Sequence, residues 1–170
     1  MKHPSLVVLL VLSLLAATAC SRGPRPERDG ESGKAGVRGN AAAINTVRAA
    51  AHAMAQPQPT VDFVAAAMEG AIKARTKSQA LIQYDGYRAT LTTPSDRVTQ
   101  VTFQLIEAKP TILQLTAELG EPEPNPKGML YTYEYSPTGA TIRVLAEPVS
   151  MPAEEDSLVR RIVIEGARTR

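Results

Sequence analysis

Residues 111–135 read TILQLTAELGEPEPNPKGMLYTYEY, and two periodicities meet inside this stretch. Thr111 with Gln114 three positions later is a capping box, in which each side chain satisfies the other residue's backbone N–H. Ile112, Leu113, Leu115 and Leu119 follow at helical spacing and predict one buried stripe. Gly120 is expected as the left-handed C-cap, with Pro122 preventing continuation. Glu121–Lys127 holds three prolines and reads as a stiff extended loop. From Met129 to Tyr135 the period drops to two: Tyr131, Tyr133 and Tyr135 alternate with Leu130, Thr132 and Glu134. A helix answered at once by a strand of this kind predicts an α+β fold.

Working outward, the turn Ser136-Pro137-Thr138-Gly139 leads to strands at Ala140–Ala146 and Leu158–Glu165, separated by the loop Glu147–Ser157. Upstream, Thr60 is an expected N-cap with Asp62 in the first turn, where a negative charge is favoured. Phe63, Val64, Ala67, Met68, Ala71 and Ile72 then describe a helix face. Strands are expected at Ala80–Tyr84 and Tyr87–Thr92 around the hairpin signal Asp85-Gly86, and at Val98–Glu107. The order is helix and three strands, twice over. Laid on each other, the halves bring Gly70 to Gly120, Leu81 to Leu130, Tyr84 to Tyr133, and Val98 and Val101 to Val159 and Ile162. The expected domain, residues 60–166, is therefore a pair of tandem helix–three-strand repeats forming an antiparallel sheet, with helices packed on one face.

The N-terminal part follows other rules. Residues 1–19 combine Lys2 with an apolar run from Leu6 to Leu15 and the small residues Ala16 to Ala19. About 12 apolar residues are too few to span the hydrocarbon core as a helix, and fit the h-region of a leader. Residues 20–40 contain, after Cys20, five Gly, two Pro and eight charges with Val37 as the one larger aliphatic, so a disordered tether is expected. Residues 41–59 are Ala-rich, with Ile44, Val47, Ala51 and Met54 at helical spacing. They predict a marginal helix and linker, because alanine favours helix yet buries little. His52 lies here, away in sequence from any Cys, Asp or Glu.

Ala17-Thr18-Ala19-Cys20 resembles the lipobox of bacterial lipoproteins, with small residues before the cysteine and Ala in place of the commoner Leu three positions ahead of it. The resemblance implies a diacylglycerol thioether on Cys20, cleavage before it and N-acylation. Ser21, where Asp would imply inner-membrane retention, implies the outer membrane. The helix ending Leu119-Gly120-Glu121-Pro122, followed by Gly128 and Tyr131-Thr132-Tyr133, is similar to the β-lactamase-inhibitor-like fold and to the BamE (SmpA/OmlA) family of outer-membrane assembly lipoproteins. Tyrosine stands where that family usually has tryptophan.

Composition narrows the chemistry. The chain has 170 residues, one cysteine, no tryptophan, and 19 basic against 17 acidic side chains. The single cysteine excludes an intramolecular disulfide, and the near-neutral balance gives no ground for nucleic-acid binding. No phosphate-cradling loop or metal-ligand spacing stands out, and no cofactor is expected; Glu154-Glu155-Asp156 reads as a solvated loop face. Asp85, Glu107, Glu118 and Glu134 are the carboxylates from which a hydrolytic pair would have to come. The tyrosine stripe admits two readings: a core layer facing the helices, or an open face where Tyr131, Tyr133 and Tyr135, joined by Tyr87 and Arg143, meet a protein partner. The sequence thus predicts an outer-membrane lipoprotein, held to the membrane through Cys20, with a non-catalytic binding domain in an envelope complex. A tethered hydrolase inhibitor, a pilot-type secretion or motility lipoprotein, and a carboxylate-based cell-wall hydrolase are the alternatives.

Overall fold

A computed structural model describes residues 29–123 and 129–166. The leader, Cys20, the start of the tether and most of the loop after Glu123 lie outside the described residues. Within them the chain is α+β, with three helices and a seven-stranded antiparallel sheet. The elements are α1 (Asp29–Met54), α2 (Val61–Ala67), β1 (Ile72–Arg75), β2 (Gln79–Gln83), β3 (Tyr87–Thr92), β4 (Gln100–Leu105), α3 (Ile112–Leu119), β5 (Tyr131–Tyr135), β6 (Ile142–Pro148) and β7 (Val159–Glu165). The sheet order is β1-β2-β3-β4-β7-β6-β5.

Because side chains alternate across a strand, the register sorts the sheet into two faces. Across β5, β6, β7, β4, β3 and β2, one ladder reads Tyr133, Val144, Ile164, Val101, Leu91 and Ala80; the next reads Tyr131, Ala146, Ile162, Phe103, Ala89 and Ile82. All but Tyr131 are buried. They share one apolar core with Val47 and Met54 of α1, Val61 and Val64 of α2, and Ile112 and Leu115 of α3. Each large side chain fully buried this way contributes about 1.5–3 kcal/mol.

The helix after Pro110, α3, forms with its predicted cap and buries Ile112, Leu115 and Leu119, but Leu113, expected in the same stripe, faces solvent. Thr111 Oγ1 accepts from the Gln114 amide at 3.2 Å while Gln114 Oε1 accepts from the Thr111 amide at 3.0 Å. Its end differs in one respect: Gly120 sits at φ 90°, ψ −177°, a region open almost only to glycine, and not in the left-handed helical well.

The first helix is shorter than its apolar spacing suggests. Thr60 caps it, accepting from the Phe63 amide, but it stops at Ala67. Glu69 turns to φ 52°, and a Cβ on Gly70 would lie 2.3 Å from the Tyr84 hydroxyl and 2.5 Å from Ile82 Cγ2. The close approach of the sheet forces the chain to turn at this glycine. Ile72 therefore opens an unanticipated edge strand, β1, instead of extending the helix. The Asp85-Gly86 hairpin is present, with Gly86 at φ 78°. Its carbonyl accepts from the amides of Ile106, Glu107 and Ala108 at 3.0, 2.9 and 3.2 Å, tying the hairpin to the chain leaving β4.

The Ala-rich segment is the largest departure. Residues 41–55 are core and not linker: Ala43, Val47, Ala50, Ala51 and Met54 are buried. Small side chains let a helix sit close to its neighbours, so tertiary packing supplies what alanine lacks in apolar area. Asn40 fastens the start of the docked portion. Its Nδ2 donates to the Lys109 carbonyl at 3.1 Å, and its Oδ1 accepts from the Lys109 amide at 2.7 Å. The helix continues backward to Asp29, into the stretch expected as disordered tether.

Candidate functional site

The three tyrosines of β5 do share one face, and it is the core face. Tyr133 is fully buried, with its hydroxyl 3.3 Å from that of Thr116 on α3. Tyr131 and Tyr135 are half-buried against the same core. Tyr131 donates to the Ala153 carbonyl at 3.1 Å, and the Tyr135 hydroxyl lies 3.0 Å from His52 Nε2 on α1. Tyr87 is buried as well, hydroxyl to hydroxyl with Thr46 at 2.8 Å, and its ring stacks on Tyr84 at 4.6 Å. Burial pushes the phenols of Tyr84, Tyr87 and Tyr133 up from their ordinary value, most strongly at Tyr84, where the neighbouring Tyr87 and Glu69 add to it. Arg143 lies on the opposite face, 3.6 Å from Glu165. An exposed surface uniting Tyr87, the tyrosine stripe and Arg143 is therefore not what the strands build. The aromatic rings follow the apolar alternation of their strands, and a phenol is readily buried when its hydroxyl finds a partner.

The face left to solvent carries a different pattern. Leu145, Val163, Thr102, Thr90 and Leu81 form one half-exposed ladder from β6 to β2, with Thr132 at its β5 end. It is flanked by two fully polar ladders. One reads Glu134, Arg143, Glu165, Gln100, Thr92 and Gln79; the other reads Glu147, Arg161, Gln104, Arg88 and Gln83. Glu147 accepts from Arg161 Nε at 2.7 Å and also pairs with Arg160, while Arg88 Nε and Nη2 both donate to Gln104 Oε1. A shallow open depression lies here, lined by Thr102, Gln104, Leu105, Glu147, Arg160 and Arg161. Three arginines against one glutamate give this corner a positive surplus, and the ladder beside it supplies aliphatic surface. Chemically that combination suits recognition: exposed aliphatics give contact area, and the guanidinium forks accept planar anionic or amide partners. Sequence reasoning missed this ladder because Leu81, Leu145 and Val163 resemble core residues. Only their alternation with the buried set, seen across neighbouring strands, marks them as outward.

The remaining candidates are scattered. Asp85 and Glu107 lie together at the hairpin end of the sheet, Glu118 pairs with Arg48 at 2.9 Å, and Glu134 stands on the solvent-side face beside Arg143. Glu154, Glu155 and Asp156 are exposed as expected, and the Glu155 carbonyl accepts the Leu113 amide at 2.7 Å, so this loop completes the start of α3. Among the described residues, no group of three or more His, Cys, Asp or Glu is placed to hold a metal ion, and no helix is long and apolar enough to cross a membrane. Comparison with protein-family models, with curated proteins and with solved structures gives no match to this chain.

Proposed function

We propose that this chain is a lipid-anchored protein of the bacterial outer membrane, facing the periplasm, whose domain binds a protein partner of an envelope complex through the solvent-side face of its sheet. The anchor reading rests on the leader and the lipobox-like Ala17-Thr18-Ala19-Cys20. Two or more acyl chains make a stable attachment where one is marginal.

The binding reading is carried by one observation: the half-exposed ladder of Leu81, Thr90, Thr102, Val163 and Leu145 crosses the sheet between two polar ladders. A strip with Leu81 at one end, Val163 and Leu145 at the other and two threonines between, set between charged ladders, has the mixed composition of a protein-binding surface. The architecture supports it. The sheet side chains of the shared core follow one alternation set, which Val159 joins through the register shift at Pro148, so we read the helices as covering a single face.

We also read the domain as two related halves. The Val98 amide donates to the Pro59 carbonyl at 2.7 Å, and the Val159 amide donates to the Pro110 carbonyl at 2.9 Å, each just ahead of a Thr-capped helix. The shift that carries Val98 onto Val159 carries Thr102 onto Val163, and these two residues pair with each other at the sheet centre. On this reading a pseudo-twofold axis passes through the proposed binding strip. The strand register also moves the matches expected in the first strand of each half: Tyr84 corresponds to Tyr135, and Ile82 to Tyr133. A doubled helix–three-strand unit is the arrangement implied by the resemblance to the BamE family.

The test is affinity capture of the lipidated chain from its own envelope, repeated with Leu145→Arg and Val163→Arg. A stoichiometric partner captured by the wild type and lost by both folded variants is expected. Equal capture by all three would overturn the assignment of this face. In parallel, Cys20→Ala should release the protein from the membrane fraction, and a variant that stays membrane-bound would overturn the anchor.

A further inference from the structure

One end of the domain is conspicuously apolar. Ile106, Leu113, Met129, Val149, Met151 and Leu158 are each 44–55 % exposed. The chain pairings place all six at the same end of the sheet. Leu158 bridges toward Thr111 and accepts the Val149 amide, Leu113 bonds to Glu155 beside them, Ile106 follows β4 beside Gly86, and Met129 leads into β5 opposite the end of β6. The remaining strongly exposed aromatic, Phe63, lies at the opposite end, where Thr60 bridges to Arg97.

The N-terminal segment leaves the domain at this apolar end. Asn40 is clamped to Lys109, the residue just before Pro110 and α3, and a Cβ on Gly39 would lie 3.8 Å from Ala108 Cβ. Residues 41–54 of α1 run back along the sheet to the far end, where a Cβ on Gly166 would lie 3.3 Å from Met54 Cε. Asp29–Gly39 therefore overhang the apolar end by roughly 16 Å of helix. Nine further residues, 20–28, lead to Cys20 and reach at most about 30 Å when extended. The overhang holds glycine at 30, 33, 36 and 39, each costing helix stability relative to alanine, and a Cβ on Gly36 would meet nothing within 4 Å. A helical segment so rich in glycine bends or unwinds at little cost, which lets the domain settle toward its anchor.

We infer that this apolar end seats on the lipid surface, with Leu113, Val149, Met151 and Leu158 entering the headgroup boundary of the anchored domain's own membrane. The inference rests on the anchor reading above and adds an orientation to it: the tether exits on the membrane side. A tether this short holds the end at a high effective concentration over the bilayer, so weak partitioning by a few side chains is sufficient. Glu154, Glu155 and Asp156 rim the same end as Lys109, Arg160 and Arg161, so the seating rests on apolar contact and not on headgroup charge. Seating in this way leaves the solvent-side sheet face upright and accessible.

The chain contains no tryptophan, so a single introduced indole is an unambiguous reporter. Lipidated full-length Met151→Trp and Phe63→Trp chains are reconstituted on zwitterionic vesicles with and without brominated acyl chains, and flotation is scored in the same samples. At position 151 the emission should shift to the blue and lose most of its intensity to the brominated lipid. At position 63 it should remain that of an indole in water. Floating chains with both reporters in water, or with 63 quenched in place of 151, would overturn the seating while leaving the anchor intact. Shielding of 151 only when envelope proteins are added would assign this end to a protein and overturn it equally. Chains that do not float would remove the anchor, and the orientation with it.

Discussion

Tyr133 and Thr116 face each other across the interior, their hydroxyls 3.3 Å apart and the tyrosine ring fully buried. The pairing decides which of the two readings of the tyrosine stripe holds. Truncating the ring opens a large cavity, so Tyr133→Ala should cost about 3–5 kcal/mol, as for other buried aromatics. Tyr133→Phe removes only the hydroxyl contact and should cost about 1 kcal/mol. Urea unfolding followed by far-UV circular dichroism checks both. A loss under 1 kcal/mol for the alanine variant would contradict the core assignment.

Asn40 ties α1 to the start of the second half through two hydrogen bonds to Lys109, both partly buried. Asn40→Ala leaves that backbone amide and carbonyl without their partner and should destabilise by about 1–3 kcal/mol. Amide hydrogen exchange gives the local signature: protection at Lys109 should fall more than at the sheet centre.

Gly70 and Gly120 end their helices for different reasons, which substitution separates. At Gly70 a methyl group collides with Tyr84 and Ile82, so Gly70→Ala should cost about 1–3 kcal/mol through overpacking. Its cost should be relieved when Tyr84 is also shortened, in Gly70→Ala/Tyr84→Leu. At Gly120 the space is open and the obstacle is φ 90°. Gly120→Ala should cost about 1–3 kcal/mol through backbone strain, with no rescue from any neighbour. Thermal melts of the single and double variants compare the two.

The raised phenols of Tyr84, Tyr87 and Tyr133 set the alkaline limit of the fold. In the unfolded chain each ionises near its ordinary value of 10.0, while burial keeps it protonated in the folded state. Their contribution is therefore complete below pH 10 and falls as the pH climbs toward the folded values. Denaturant midpoints should hold up to about pH 9.5 and drop above it. Midpoints that stay level well above pH 10 would contradict the burial of these phenols.

Much of the domain was legible as sequence because its signals are local. The capping box at Thr111 and Gln114, the N-cap at Thr60 and the Asp85-Gly86 turn each require only neighbouring atoms, and each forms as read. The alternation of Tyr131, Tyr133 and Tyr135 likewise fixed that the three rings share a side, since a strand leaves no other choice.

Other features depended on residues far apart in the chain, and only the tertiary structure decided them. Which side the tyrosines take follows from the helix covering them. The end of α2 is set by Tyr84 closing on Gly70, which no helical periodicity records. The Ala-rich residues 41–55 lack the large side chains that announce a core helix, and become one because a sheet and two helices stand ready to enclose them. The solvent-side aliphatic ladder exists only once six strands are in register, for contact across a sheet is a property of the pairing and not of any one strand. Local chemistry wrote the elements of this protein; the packing between them chose which surface faces water.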